Sequence, residues 1–194
     1  MFRKQISFRG NQILQSLTFY LYRTIALTFL CICLHACSAP IHEVTTSFSD
    51  PPVFVDAVHL RKASGASNPS DYRSSIRRYG FTIDVASAQK KYFPKIKTLH
   101  ISGIEYDYVF AIILDEIKLL NWTLITSDPG LGRIEAYDTT KWFGFVDDVV
   151  VRVSHTEGGI LIDIRSKSRN GFIDFGKNGN RVSKFLNNIK NSLY

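Results

Sequence analysis

Two acids stand side by side, Asp147 and Asp148, in the run KWFGFVDDVVVRV at residues 141–153. Paired carboxylates can act as general acid and base, or chelate a cation. Glu135, Arg152, Asp163 and Arg165 lie in neighbouring runs. They could complete a hydrolytic site, with Asp148 or Glu135 as base and Arg165 as anion clamp. Adjacent strand residues point to opposite faces, so a strand starting at this pair would part the two acids. The competing reading makes Asp148 one member of a salt-bridge lattice on the exposed side of a sheet, with Asp147 capping the strand entrance. Exposed ion pairs contribute at most about 1 kcal/mol each, so a lattice is a weak route to stability, and a polar binding face stays open.

The aromatics Trp142, Phe143 and Phe145 allow two placements. They either pack under a hairpin as core or project from its tip to touch lipid or a partner. The second candidate stretch is RSKSRNGFIDFGKNGNR, residues 165–181. Its glycines 171, 176 and 179 precede a helix start, where free amides with Arg165 or Arg169 could hold an anion. Asp174 lies in the same loop and is counted with the polar surface. The spacing matches no phosphate-loop pattern, and loop geometry alone accounts for the glycines. Histidines 42, 59, 100 and 155 are scattered without zinc spacing, and GxSxG is absent. No metal and no cofactor is expected.

The elements that must position these residues follow from periodicity. A short strand is expected at 97–101, then a helix opened by a Ser102-to-Glu105 capping box. Tyr106, Val109, Phe110, Ile113, Ile117 and Leu120 form its apolar face. Strands follow at 122–126, 132–138, 145–154 and 160–166, with turns at Asp128-Pro-Gly130 and Glu157-Gly-Gly159. A last helix at about 180–193 is capped by Asn178 or Asn180. The order β-α-β-β-β-β-α gives an α+β fold: an antiparallel meander with two helices packed on one face. Register follows from charge. Centring the turn on Glu157-Gly158 sets Arg152 opposite Asp163 and Val151 opposite Ile164. A slip by one pair would oppose Arg152 and Arg165.

The chain of 194 residues carries a formal charge of +7. Four of its 24 basic residues (Arg3, Lys4, Arg9, Arg23) fall in the first 37, which hold no acid; removing them leaves 20 against 17 acidic. The basicity therefore belongs largely to a targeting segment, and nucleic acid is not an expected partner. A basic region, the apolar TIALTFLCICLHA at 24–36 and then Cys37 follow the signal-peptide pattern. Leu34-His35-Ala36-Cys37 resembles a bacterial lipobox. That resemblance implies a signal peptide over 1–36 and an acylated Cys37, with membrane lipid as partner. The alternative is an uncleaved apolar anchor over 17–36. Ser38 resembles the default signal for the outer membrane, facing the periplasm. Cys31, Cys33 and Cys37 are all the cysteines, so the folded part would have no disulfide. Residues 37–80, rich in Pro and Ser, read as a tether in which 53–58 forms a short docking strand; residues 81–194 read as the globular domain.

GRIEAYDTTKWFGFVDDVVVRV, followed by IDIRSKSRNGFIDFGKNGNRV, resembles the bacterial family known as domain of unknown function 1499. Matching positions include Arg133, Glu135, Asp147, Asp148, Arg152, Asp163, Arg165, Ser166, Arg169, Asp174, Asn178 and Arg181, with Gln89, Tyr92, Pro94 and Trp122 upstream. Phe175 replaces a common Leu. The resemblance covers about residues 81–194 and implies an exported or envelope-associated module, without implying a reaction. The expected function is a non-enzymatic lipoprotein that binds a protein, peptidoglycan or lipid ligand through the polar sheet face or the 166–180 loop. The alternatives are a carrier with an apolar pocket between helix and sheet, and the hydrolase above.

Overall fold

The computed structural model describes residues 19–25, 39–78, 80–140 and 144–194. The chain divides into two compact units, Met1–Ser38 and Ala39–Tyr194. In the first, residues 19–25 are helical, and the Arg23 guanidinium lies over the Phe19 ring. No helix among the described residues is long and apolar enough to cross a membrane. Cys37 and the apolar run before it lie outside the described residues.

The second unit is built on the meander that the alternating pattern predicts: β5 (Thr123–Asp128), β6 (Arg133–Thr139), β7 (Val146–Thr156) and β8 (Gly159–Ser168). Arg152 pairs with Asp163 and Val151 with Ile164, the register that avoids opposed arginines. The outer edge of β8 is shared end to end by two short strands. β4 (Leu99–Ile101) takes residues 160–162 and β1 (Glu43–Thr45) takes 165–167, both antiparallel. A Cβ at Gly159, whose φ is +134°, would overlap the Ile101 carbonyl, so glycine is what lets β4 approach. Thr46 and Thr98 fill the gap between the two short strands, each donating its hydroxyl to Asp163.

One face of the sheet carries the main core. Helices α3 (Tyr106–Leu119) and α4 (Lys177–Leu193) lay Val109, Ile113, Ile117, Val182, Phe185 and Ile189 on Val149, Val151, Ile162 and Ile164. All ten are at most 2% exposed. The expected capping box does not form: the N-cap of α3 is Glu105, without a side-chain bond. Helix α4 begins three residues earlier than expected, after Gly176 in a left-handed conformation, and neither Asn178 nor Asn180 is its N-cap.

The stretch expected as a tether is folded from Ala39 onward. It supplies β1, helix α1 (Ala57–Ala63), the hairpin β2 (Ser75–Arg78) with β3 (Phe81–Asp84), and leads into α2 (Val85–Tyr92). Residues 53–56 form no strand; Phe54 and Ala57 instead pack on Val150 as a second small core. Ile41, Val44 and Phe54 are buried, enough apolar anchors to overcome the polar composition around them.

Candidate functional site

Alternation along β6, β7 and β8 puts Glu135, Asp148, Arg152, Asp163, Arg165 and Lys167 on the second face of the sheet. Sequence predicts that face exposed. Residues 50–72 and α1 cover it instead: Glu135, Asp148 and Lys167 are 0% exposed and Arg165 is 1%. Charges taken this far from water must be paired and hydrogen-bonded, and two acids organise the pairing. Asp148 accepts from Arg61 Nη1 at 2.5 Å and from Arg169 Nη2 at 2.7 Å. Glu43 accepts from Arg165 Nη2 at 2.9 Å and from Lys167 Nζ at 3.1 Å.

The spare donors of these cations hold the cover. Arg61 donates to the carbonyls of Asn68 and Ser168, Arg165 to those of Pro52 and Ser70, and Lys167 to that of Asp71. Irregular backbone has no ladder partner, so its carbonyls need such donors. Glu135 does the converse, accepting from the backbone N–H groups of Val55, Asp56 and Ala57 where α1 begins. Its negative charge also suits a helix N-terminus. Arg152, nearer the rim, bridges Asp50 and Asp163. The lattice is a fastener between sheet and cover rather than a surface pattern.

Asp147 does not cap a strand entrance. It turns to the other face, as adjacency requires, and pairs with Arg181 of α4 at 2.7 Å; Arg181 also takes Asp138 at 2.8 Å. Asp174 belongs to neither group. Its carboxylate accepts the N–H groups of Gly176 and Asn178 at the start of α4, and burial holds its pKa above the ordinary carboxylate value. Arg165 and Arg169 are both spent on carboxylates, so the 165–181 loop does not use them to hold an outside anion. Phe145 is 55% exposed, against its placement in the core. Trp142 and Phe143 lie outside the described residues.

Burial and the crowd of like charges leave marks on the titrating groups. Desolvation lowers Lys167 to about 8 despite Glu43. Desolvation raises Tyr72 to about 12, and its buried hydroxyl has no partner among the described residues. His42, 6% exposed, is held below its ordinary value by desolvation and then by Lys167. It bonds to the Phe172 backbone, while its buried Nδ1 has no partner among the described residues. His42 lines a notch of about 210 Å³ with Asn68, Arg73, Ser75, Arg77 and Phe172. A larger cleft of about 610 Å³ runs between the end of β6 and the start of α4, lined by Trp122, Asp138, Thr140, Lys177, Arg181 and Lys184. Among the described residues no group of three or more His, Cys, Asp or Glu could hold a metal ion.

Sequence reasoning finds Glu135, Asp148, Arg152, Asp163 and Arg165 on one face and names Arg181 through the family resemblance, but misses Lys167, Glu43, Arg61 and His42. Lys167 is legible in principle, because it continues the alternation Asp163, Arg165 along β8. Glu43 and Arg61 carry no local signal: each meets its oppositely charged partners from 87 or more residues away. No curated protein matches the chain. Residues 43–189, which begin at β1 and take in the whole lattice, match a family described as "Protein of unknown function (DUF1499)", and the chain belongs to that family.

Proposed function

We propose that the protein is a lipoprotein of the bacterial cell envelope, a non-enzymatic binding or structural module held at the outer membrane by acylated Cys37. The observation that carries this reading is the position of the fold relative to the lipobox-like Leu34-His35-Ala36-Cys37. The folded unit starts at Ala39, two residues beyond the cysteine, and Ala39 and Ile41 are already buried. A leader ahead of a cleavage point needs such a boundary between itself and the domain.

The non-enzymatic part rests on where the candidate acids go. A general base must reach substrate with a lone pair to spare. Asp148 and Glu135 are fully buried, and their oxygens are taken by arginines and backbone amides. Arg165, the clamp of the hydrolase reading, is committed to Glu43 and two carbonyls. The carrier reading is opposed by the fully buried side chains between α3, α4 and the sheet.

The test is metabolic labelling with radioactive palmitate in a bacterial host, followed by membrane fractionation. Label should enter the full-length protein and vanish in Cys37→Ala, which should also leave the outer-membrane fraction. Absence of label from the unaltered protein, or equal labelling of Cys37→Ala, would sink the proposal.

A further inference from the structure

The rim around the His42 notch presents exposed aromatic and basic side chains. Phe172 forms one of its walls and is 67% exposed; Phe175, three residues on, is 54% exposed. Phe175 also has φ +54°, a left-handed conformation that is strained for a bulky side chain. Arg73 and Arg77 form the facing wall and are exposed. Their acidic neighbours are Asp71 and Asp84. Asp71 meets Arg73 at 3.6 Å with both side chains more than half exposed, and Asp84, across the hairpin from Ser75, is taken up capping α2. Behind the notch, Glu43 is shared by Arg165 and Lys167 and Asp148 by Arg61 and Arg169, within a lattice whose other cations, Arg133 and Arg152, meet Asp56, Glu135, Asp50 and Asp163. The rim therefore sets two exposed guanidinium groups beside an exposed aromatic ring, a pairing that suits an anionic lipid surface.

Chain length places that rim. The loop carrying both phenylalanines is tied to the first residues of the fold: Asp174 donates its N–H to the Ile41 carbonyl, and Asn178 donates to that of His42. Five residue steps link Cys37 to His42, at most about 18 Å of extended chain. A lipid carried at Cys37 would keep His42 within that covalent reach of the headgroups.

We infer that the face formed by Arg73, Arg77 and Phe172 docks onto a bilayer of anionic phospholipid, the two guanidinium groups meeting lipid phosphates while Phe172 enters the boundary between headgroups and acyl chains. This rests on the anchoring of Cys37 proposed above.

Hydrogen exchange followed by mass spectrometry tests it, with the full-length protein reconstituted in nanodiscs. One set contains phosphatidylglycerol and the other only phosphatidylcholine. Amides of 66–77 and 171–176 should exchange more slowly in the phosphatidylglycerol discs, while the Glu157–Gly159 turn, at the opposite end of the sheet, exchanges alike in both. The double variant Arg73→Gln, Arg77→Gln should weaken docking about 30-fold, at roughly fivefold per surface charge, and erase the difference. Both side chains are exposed, so an unchanged urea midpoint will show that the variant folds. Equal exchange in the two discs, or protection that survives the double substitution, overturns the inference. Intact mass separates it from the anchoring proposal. Acyl chains present without protection sink the docking face alone; protection without acyl chains sustains the face and sinks the anchor.

Discussion

Replacing Asp148 by Asn removes one negative charge and almost no volume, yet it strips both Arg61 and Arg169 of their counter-ion. Asp148 is 0% exposed, and the two guanidinium groups are 4% and 8% exposed at the side chain, so water cannot take over. Breaking a buried pair by removing one partner costs about 3–5 kcal/mol. Two cations are orphaned here, and the amide NH₂ would face donors, so the upper half of that range is expected. Against a domain stability of about 5–15 kcal/mol this is a large fraction. With a urea slope of about 2 kcal/mol per molar, the midpoint should fall by roughly 2 M. The assay is urea titration followed by tryptophan fluorescence, to which Trp122, 7% exposed in the native state, contributes beside Trp142. Asp115→Asn is the matched control: its pair with Lys118 is more than 60% exposed on both sides and should move the midpoint by less than about 0.3 M. Adding Arg61→Met and Arg169→Met to Asp148→Asn should recover part of the loss, because the orphaned charges go. A midpoint for Asp148→Asn within the control's shift would refute the reasoning that this lattice is a desolvated fastener.

Two other outcomes follow from the same geometry. Lys167 has a folded pKa of about 8 against an ordinary 10.5. Between those values the unfolded chain holds a proton that the folded one has released, so unfolding free energy should rise with pH across that window, by roughly 3 kcal/mol at full extent. Tyr72, raised from 10.0 to about 12, has the opposite sign above pH 10, which sets a maximum near there. Chemical denaturation at stepped pH checks this, and Lys167→Met should flatten the rise. Gly179, in the first turn of α4, lies under the Phe93 ring, so a Cβ there would overlap it. Gly179→Ala gains about 1 kcal/mol of helix propensity but loses about 1–3 kcal/mol to overpacking, for a net fall in Tm. The same change made in a Phe93→Leu background should raise Tm relative to that background, as calorimetry will report.

The meander and its register are legible because two short-range rules agree on them: apolar alternation along β7 and β8, and avoidance of opposed Arg152 and Arg165. The face assignment of Asp147 and Asp148 follows from the same alternation. What covers that face is not legible. Residues 39–72 bury few apolar side chains and fold through bonds to distant partners. Gln89, for instance, holds both the N–H and the carbonyl of Thr45 from 44 residues away. A polar stretch whose partners are side chains elsewhere has the composition of a linker. Helix starts fail for a related reason. The Ser102-to-Glu105 motif is present, but the chain turns at Gly103, with φ +71°, and enters the helix only after Glu105.

Strand β1 has a consequence for biogenesis. Glu43 finds Arg165 122 residues further along the chain, so the first strand to be made waits for the last. Closing a loop of that length is entropically costly and slow. The leading third of the polypeptide therefore has little to condense upon until nearly all of it is synthesised. A chain that cannot collapse early stays threadable, which is the condition that the export proposed above would impose on it.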